Sequence, residues 1–180
     1  MLTLALFAVL TGCALPLPDS AEGAGPAEGT VVEQAPDRFT IIPDDYHVPY
    51  AGTAEDGRRF FLSEELFVPG DQGPAYVGLF LWNADGTFDE VRVDEVSRAG
   101  GLPPGQAGPA GIEDLVDARL AELGDYVLGP IEVEPFSKEV DGVTFGWVVT
   151  QGESGNYNVN IEPGDFIAYF APWDGLIYDT

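Results

Sequence analysis

Residues 76–96 read as an apolar run, a turn and an alternating run, a pattern that commits the chain to antiparallel β-structure. Residues 76–82 (YVGLFLW) are continuously apolar, Asn83-Ala84-Asp85-Gly86 carries turn chemistry, and residues 87–96 (TFDEVRVDEV) return with alternating polarity. Successive side chains of a strand point to opposite faces, so a period of two marks a strand with one dry side and one wet side. Asn, Asp and Gly between two such runs supply the backbone angles of a tight hairpin. On the return strand Phe88 and then, after a register adjustment, Val91 and Val93 fall on one face.

The same grammar recurs on either side. Residues 38–42 (RFTII) read as a short strand stopped by Pro43, and residues 58–62 (RRFFL) as another that ends before the Phe67-Val68-Pro69-Gly70 turn. Further on, residues 131–139, an Asp141-Gly142 turn and residues 143–149 (VTFGWVV) form a second hairpin, with Val143, Phe145, Trp147 and Val149 on one side. A third joins residues 157–161 to residues 165–170 (DFIAYF) through Pro163-Gly164.

One segment breaks the period. After a Gly/Pro loop at 100–111 (GGLPPGQAGPAG), Ile112, Leu115, Val116, Leu120 and Leu123 recur at helical spacing, a stripe interrupted by Arg119. Glu113 and Asp114 stand in the first turn, where the helix dipole favours acids, and Gly124 is placed for a C-terminal cap. The predicted fold is therefore α+β: a mostly antiparallel sheet of about seven or eight strands built from hairpins, with one amphipathic helix over residues 112–123 packed on it.

Charge narrows the partners. The chain carries 31 acids against 7 bases, a formal net charge of -24, and its one lysine is Lys138. Such a field repels phosphate backbones and gives no unassisted attraction to an anionic lipid surface, so nucleic acid is excluded and any membrane association needs a covalent anchor. The acids are spread along the chain, as in a solvated coat of the kind seen on acid-rich, lysine-poor proteins of salty environments.

Catalytic constellations are scarce. The single histidine, His47, follows Asp44 and Asp45, but neighbours on an extended segment point to opposite faces, whereas zinc needs three or four converging ligands. No Gly-x-Ser-x-Gly elbow and no phosphate-cradling glycine loop occurs. Residues 83–90 (NADGTFDE) resemble a calcium loop only faintly, because the position that needs a bidentate glutamate holds Arg92. Glu132 and Glu134 share a strand face, where solvation is the default. No catalytic residue, metal ligand or cofactor is assigned. Trp82 and Trp147 read as core, while Trp173 in a terminal turn, with Tyr169 and Tyr178, is the candidate for a shallow ligand face.

The N-terminus carries an address. Residues 1–10 (MLTLALFAVL) are uncharged and apolar, close to the ~7–15 residues of a signal h-region and short of the ~20 that span a bilayer. Leu10-Thr11-Gly12-Cys13 follows directly and resembles the lipobox of bacterial lipoproteins. That resemblance implies cleavage of residues 1–12 and a diacylglyceryl group on Cys13, the only cysteine. It departs from the pattern in one respect: no Lys or Arg precedes Arg38. Residues 14–36 are rich in Ala, Gly, Pro and Glu with no lasting period, and their four unmatched acids keep such a segment extended, as an acidic disordered tether. Residues 37–180 form the single α+β domain and keep 27 of the 31 acids with all 7 bases.

Three functions are compatible with this organisation. The leading one is an envelope-anchored, monomeric, non-enzymatic domain that binds a small ligand or an envelope component. The others are a carboxylate-dependent hydrolase of envelope or extracellular polymers, and an acidic inhibitor or immunity-type protein for a basic protein partner.

Overall fold

A computed structural model describes residues 34–70, 73–96, 111–176 and 178–179. The expected signal and tether segments up to residue 33, Cys13 among them, and the Gly/Pro loop at 100–110 lie outside the described residues. The chain separates into two units, Met1–Val32 and Glu33–Thr180; only the second is described below.

Its strands are β1 (Phe39–Ile41), β2 (Tyr50–Thr53), β3 (Arg59–Phe67), β4 (Ala75–Trp82), β5 (Phe88–Val96), β6 (Val127–Leu128), β7 (Ile131–Val133), β8 (Phe136–Val140), β9 (Val143–Gln151), β10 (Tyr157–Glu162), β11 (Ala168–Phe170) and β12 (Tyr178–Asp179). One helix, α1 (Ile112–Ala121), lies between β5 and β6. Every strand pairing is antiparallel, and the domain is α+β.

The strands divide into two five-stranded sheets, in the orders β5-β4-β3-β2-β6 and β12-β11-β10-β9-β8, with β1 and β7 forming a separate two-stranded ladder. The first sheet is covered on both sides. On one side Phe61, Phe80 and Trp82 pack with Phe145, Trp147, Val159 and Ile161 of the second sheet. On the other, Phe60, Leu62, Val77, Leu79 and Leu81 pack under Val116, Leu115, Leu120 and Leu123 of α1 and the turn after it. This double covering explains why β4 is apolar without alternation: a central strand dry on both faces has no position to give to a charge.

At its edge β5 alternates, because one of its faces is wet. The register shifts between Leu81 and Trp82, which brings Phe88, Val91 and Val93 to the inter-sheet core. Glu90, Arg92 and Asp94 face the helix side, opposite Leu81, Leu79 and Val77.

Arg119, the interruption in the helical stripe, donates to Asp94 Oδ2 at 2.7 Å and to Glu122 Oε1 at 2.8 Å. Arg92 bonds both Glu90 and Glu122, and Arg58 reaches Asp56, Asp89 and Glu90. Three of the chain's seven bases are thus spent in one network that ties β5 to α1 and to the start of β3. Bonding to Arg92, against partial burial, holds the Glu90 carboxyl below its ordinary range. The helix ends at Ala121, so Leu123 is buried from the following turn, where Gly124 takes φ +67°.

The second sheet buries one face only. Its edge strand β8 places Lys138 between Phe136 and Val140 on the core-side register, yet the side chain is exposed. A charge there blocks further strand addition.

Candidate functional site

The uncovered face of the second sheet is built by alternation. Val149, Val159 and Ile161 point to the core, so their neighbours Val148, Thr150, Asn158 and Asn160 point outward. Pairing then sets these residues in rows across the strands. Thr150, Asn158 and Phe170 form one row, and Val148, Asn160 and Ala168 form the next. At the strand spacing of ~4.8 Å and ~6.8 Å between like-facing residues, the two rows cover roughly 10 by 7 Å.

Three of the side chains close a ring. The Thr150 hydroxyl donates to Asn158 Oδ1 at 2.7 Å, Asn158 Nδ2 donates to Asn160 Oδ1 at 2.8 Å, and Asn160 Nδ2 donates back to Thr150 Oγ1 at 2.7 Å. Each amide keeps a second donor hydrogen and a second lone pair beyond this ring. Half-buried Val148, Ala168 and Phe170 frame it. On β9, β10 and β11 the two rows carry no ionisable group. Acids border them: Asp179 of β12 pairs with Ala168 at the end of one row, Glu162 stands in the next row and Glu139 beyond. Burial, and then the neighbouring Asp165 charge, push the Glu162 carboxyl above its ordinary range.

His47 lies elsewhere. Asp44 Oδ1 accepts the backbone N–H groups of Tyr46, His47 and Val48 at 2.7, 3.0 and 3.1 Å, which fixes the turn rather than holding the imidazole. The ring instead meets Glu65, with Nδ1 2.6 Å from Oε2, and lies between the Tyr46 and Phe166 rings at 4.0 and 5.8 Å. An irregularity in β3 between Ser63 and Leu66 brings Glu65 to this place. The recess lined by His47, Ser63 and Glu65 holds only about 30 Å³, room for a single water molecule. A shallow groove at the end of α1 is lined by Glu55, Asp56 and Glu122. Among the described residues no group of three or more His, Cys, Asp and Glu side chains is arranged to hold a metal ion.

Where the calcium-like segment turns, Asp85 bonds Thr87, and Arg38 donates to the Asp85 carbonyl at 2.6 Å. A guanidinium therefore stands beside the turn that a cation would have to enter. Glu134 is engaged structurally: its side chain accepts the Phe88 N–H at 2.6 Å, and its carbonyl accepts Trp82 Nε1–H at 3.0 Å.

Tyr169 does not join Trp173 on an exposed face. Tyr169 is 1% exposed, with its ring 5.5 Å from Phe39 and 5.4 Å from Trp147. Strand alternation in β11 sends it to the core, because Phe170 takes the outward position. Trp173 is half-buried at φ +68°, its carbonyl accepting the Thr40 N–H at 2.8 Å, and it fastens β1 to the turn after β11. Tyr178 pairs with Tyr169 through β12.

Sequence reading passed over Thr150, Asn158 and Asn160. The available signal was compositional: three neighbouring wet positions of β9 and β10 hold amides and a hydroxyl where those of β5 hold Asp, Glu and Arg. No helix among the described residues is long and apolar enough to cross a membrane. Comparison of the chain with protein families, characterised proteins and solved structures gives no match.

Proposed function

We propose that this chain is an envelope-anchored bacterial lipoprotein whose α+β domain binds rather than catalyses. In this reading residues 1–12 are the signal peptide, Cys13 carries the lipid, residues 14–36 are the tether and residues 37–180 are the binding domain. The observation that carries the binding role lies on the second sheet's open face: a pre-ordered ring of uncharged polar side chains, Thr150, Asn158 and Asn160, bordered by acids on a chain of net charge -24. A coat of acids keeps a domain soluble without further purpose, whereas an interlocked ring of two amides and a hydroxyl adds nothing to that role.

The anchor follows from Leu10-Thr11-Gly12-Cys13 and from the charge, since a domain this acidic cannot hold an anionic membrane by itself. Two or three acyl chains anchor stably where one is marginal, at ~0.8 kcal/mol per buried CH₂. Cys13→Ala is expected to release the protein from membranes or to block its processing. A mutant that stays membrane-bound at unchanged mass would refute the lipoprotein reading. For the binding role, pull-down from envelope extract with the detergent-solubilised full chain at low and high salt is expected to enrich a partner. Enrichment at neither salt refutes the binding role.

One observation favours the hydrolase as a second reading. Glu162, with its carboxyl pushed upward by burial and by Asp165, has the character of a general acid. Glu162→Gln that abolishes hydrolysis of an envelope polymer by the full chain would establish it.

A further inference from the structure

We infer that the ligand of the second sheet's open face is a neutral polysaccharide chain, laid across β9, β10 and β11. This inference rests on the binding role proposed above and names its ligand class.

Charge makes the first selection. An anionic glycan or nucleic acid would be repelled by the acids around the face, Glu162 and Asp179 among them, and a cationic partner would be drawn to those acids rather than to the amides and hydroxyl of β9 and β10. What fits the rows electrostatically is an uncharged chain.

The donor set makes the second. A neutral glycan offers hydroxyl groups that both donate and accept, along with patches of C–H. The rows offer amide donors and acceptors from Asn158 and Asn160, a hydroxyl oxygen from Thr150, and the Phe170 ring with Val148 for the C–H patches. The three-membered ring of hydrogen bonds holds these side chains in place before any ligand arrives, which lowers the ordering cost of binding.

Size and polarity make the third. A stable protein partner needs roughly 800 Å² on each side around an apolar centre. The strongly exposed large apolar residues of the described domain are Tyr46, Ile112, Val127, Leu128 and Leu176, and none of them lies on these rows. A narrow polar strip suits one extended chain better than a protein surface.

The test is native electrophoresis of the detergent-solubilised full chain through gels containing dextran, galactomannan or a neutral β-glucan, against gels containing polygalacturonate. At least one neutral polymer is expected to slow the protein twofold or more, unchanged in 0.5 M salt, while the anionic polymer does not. Asn158→Ala with Asn160→Ala should remove the retardation, as should Phe170→Leu, whereas Glu113→Gln on α1 should leave it unchanged. A thermal melt of each variant separates lost binding from lost folding.

No retardation by any neutral polymer overturns the inference, as does retardation that the Asn158 and Asn160 changes leave intact. A doubled mass in solution that these changes halve would assign the face to a second copy of the chain, and would overturn it too. If the polymers fail while envelope pull-down still enriches a partner, the ligand class falls and the binding role stands; if both fail, both fall.

Discussion

The two sheets differ in what touches them. The first is dry on both faces, with α1 on one and the second sheet on the other, and its wet positions on β5 are charged and locked in ion pairs. The second is dry on one face, and three of its wet positions, Thr150, Asn158 and Asn160, are uncharged and bonded to one another. Charged wet positions near α1 hold that helix in place. That uncharged ring serves no packing purpose among the described residues, and this contrast directs attention to the second sheet as the working surface.

Substitutions should separate the two regions by size of effect. Phe61 is fully buried between the sheets, its ring 5.6 Å from Phe80 and 5.2 Å from Trp147. Phe61→Ala is expected to cost about 3–5 kcal/mol in chemical denaturation, because the cavity it leaves adds to the lost burial. A loss below about 1 kcal/mol would mean the sheets are not packed through this residue.

Arg119→Met keeps the stem over the sheet but strands Asp94 and leaves Glu122 to Arg92 alone. Both partners of the Arg119–Asp94 pair are less than a third exposed, so a loss of about 1 kcal/mol is expected, shrinking in high salt. No change in a urea midpoint would show that packing alone seats α1.

Acid titration sharpens the comparison, because the two regions respond with opposite sign. Glu90 has a lowered carboxyl in the folded state, so its contribution is present above the ordinary glutamate value of 4.5 and is lost as pH falls through the lower folded value. Glu162 has a raised carboxyl, so its contribution is full below 4.5 and is lost as pH rises through the folded value. Glu162→Gln should therefore stabilise the domain at neutral pH, by less than about 1 kcal/mol. Denaturation midpoints across pH should show the advantage disappear below 4.5. An advantage that persists in acid would assign it to something other than ionisation.

The smallest expected effect lies on the open face. Thr150→Val removes one hydroxyl from an exposed ring of hydrogen bonds and should change stability by less than about 0.5 kcal/mol. A loss above 1 kcal/mol would make that ring a structural element and weaken its assignment to a ligand.

Much of the architecture was legible in residues 76–96 and 112–123, where the runs are long and the periods distinct. Antiparallel strands and one helix follow from them. The division into two sheets was not legible, since alternation says that a strand has a dry face without saying which sheet supplies its cover. β1 and β7 pair across some ninety residues, and three-residue strands carry too little pattern to announce such a partner.

The site was less legible still. His47 and Glu65 meet through a strand irregularity, 18 residues apart in the chain. Tyr169 looked available because aromatics near a terminus often are, but a one-residue step along β11 decides between core and surface, and Phe170 took the surface position. Thr150, Asn158 and Asn160 carry no motif. Their meaning depends on knowing that two strands bring them together and that nothing described lies above them.

The most direct measurement is covalent surface footprinting of Val148 and Phe170 in the full chain, once in detergent solution and once in intact cell envelopes, with Phe80 and Leu79 as buried references. The two outer residues should be labelled above the references in solution and lose most of that labelling in the envelope, where the ligand is present. Equal labelling in both settings would contradict the claim that this face is occupied in its native place, and labelling no higher than the references in solution would contradict the claim that it is open.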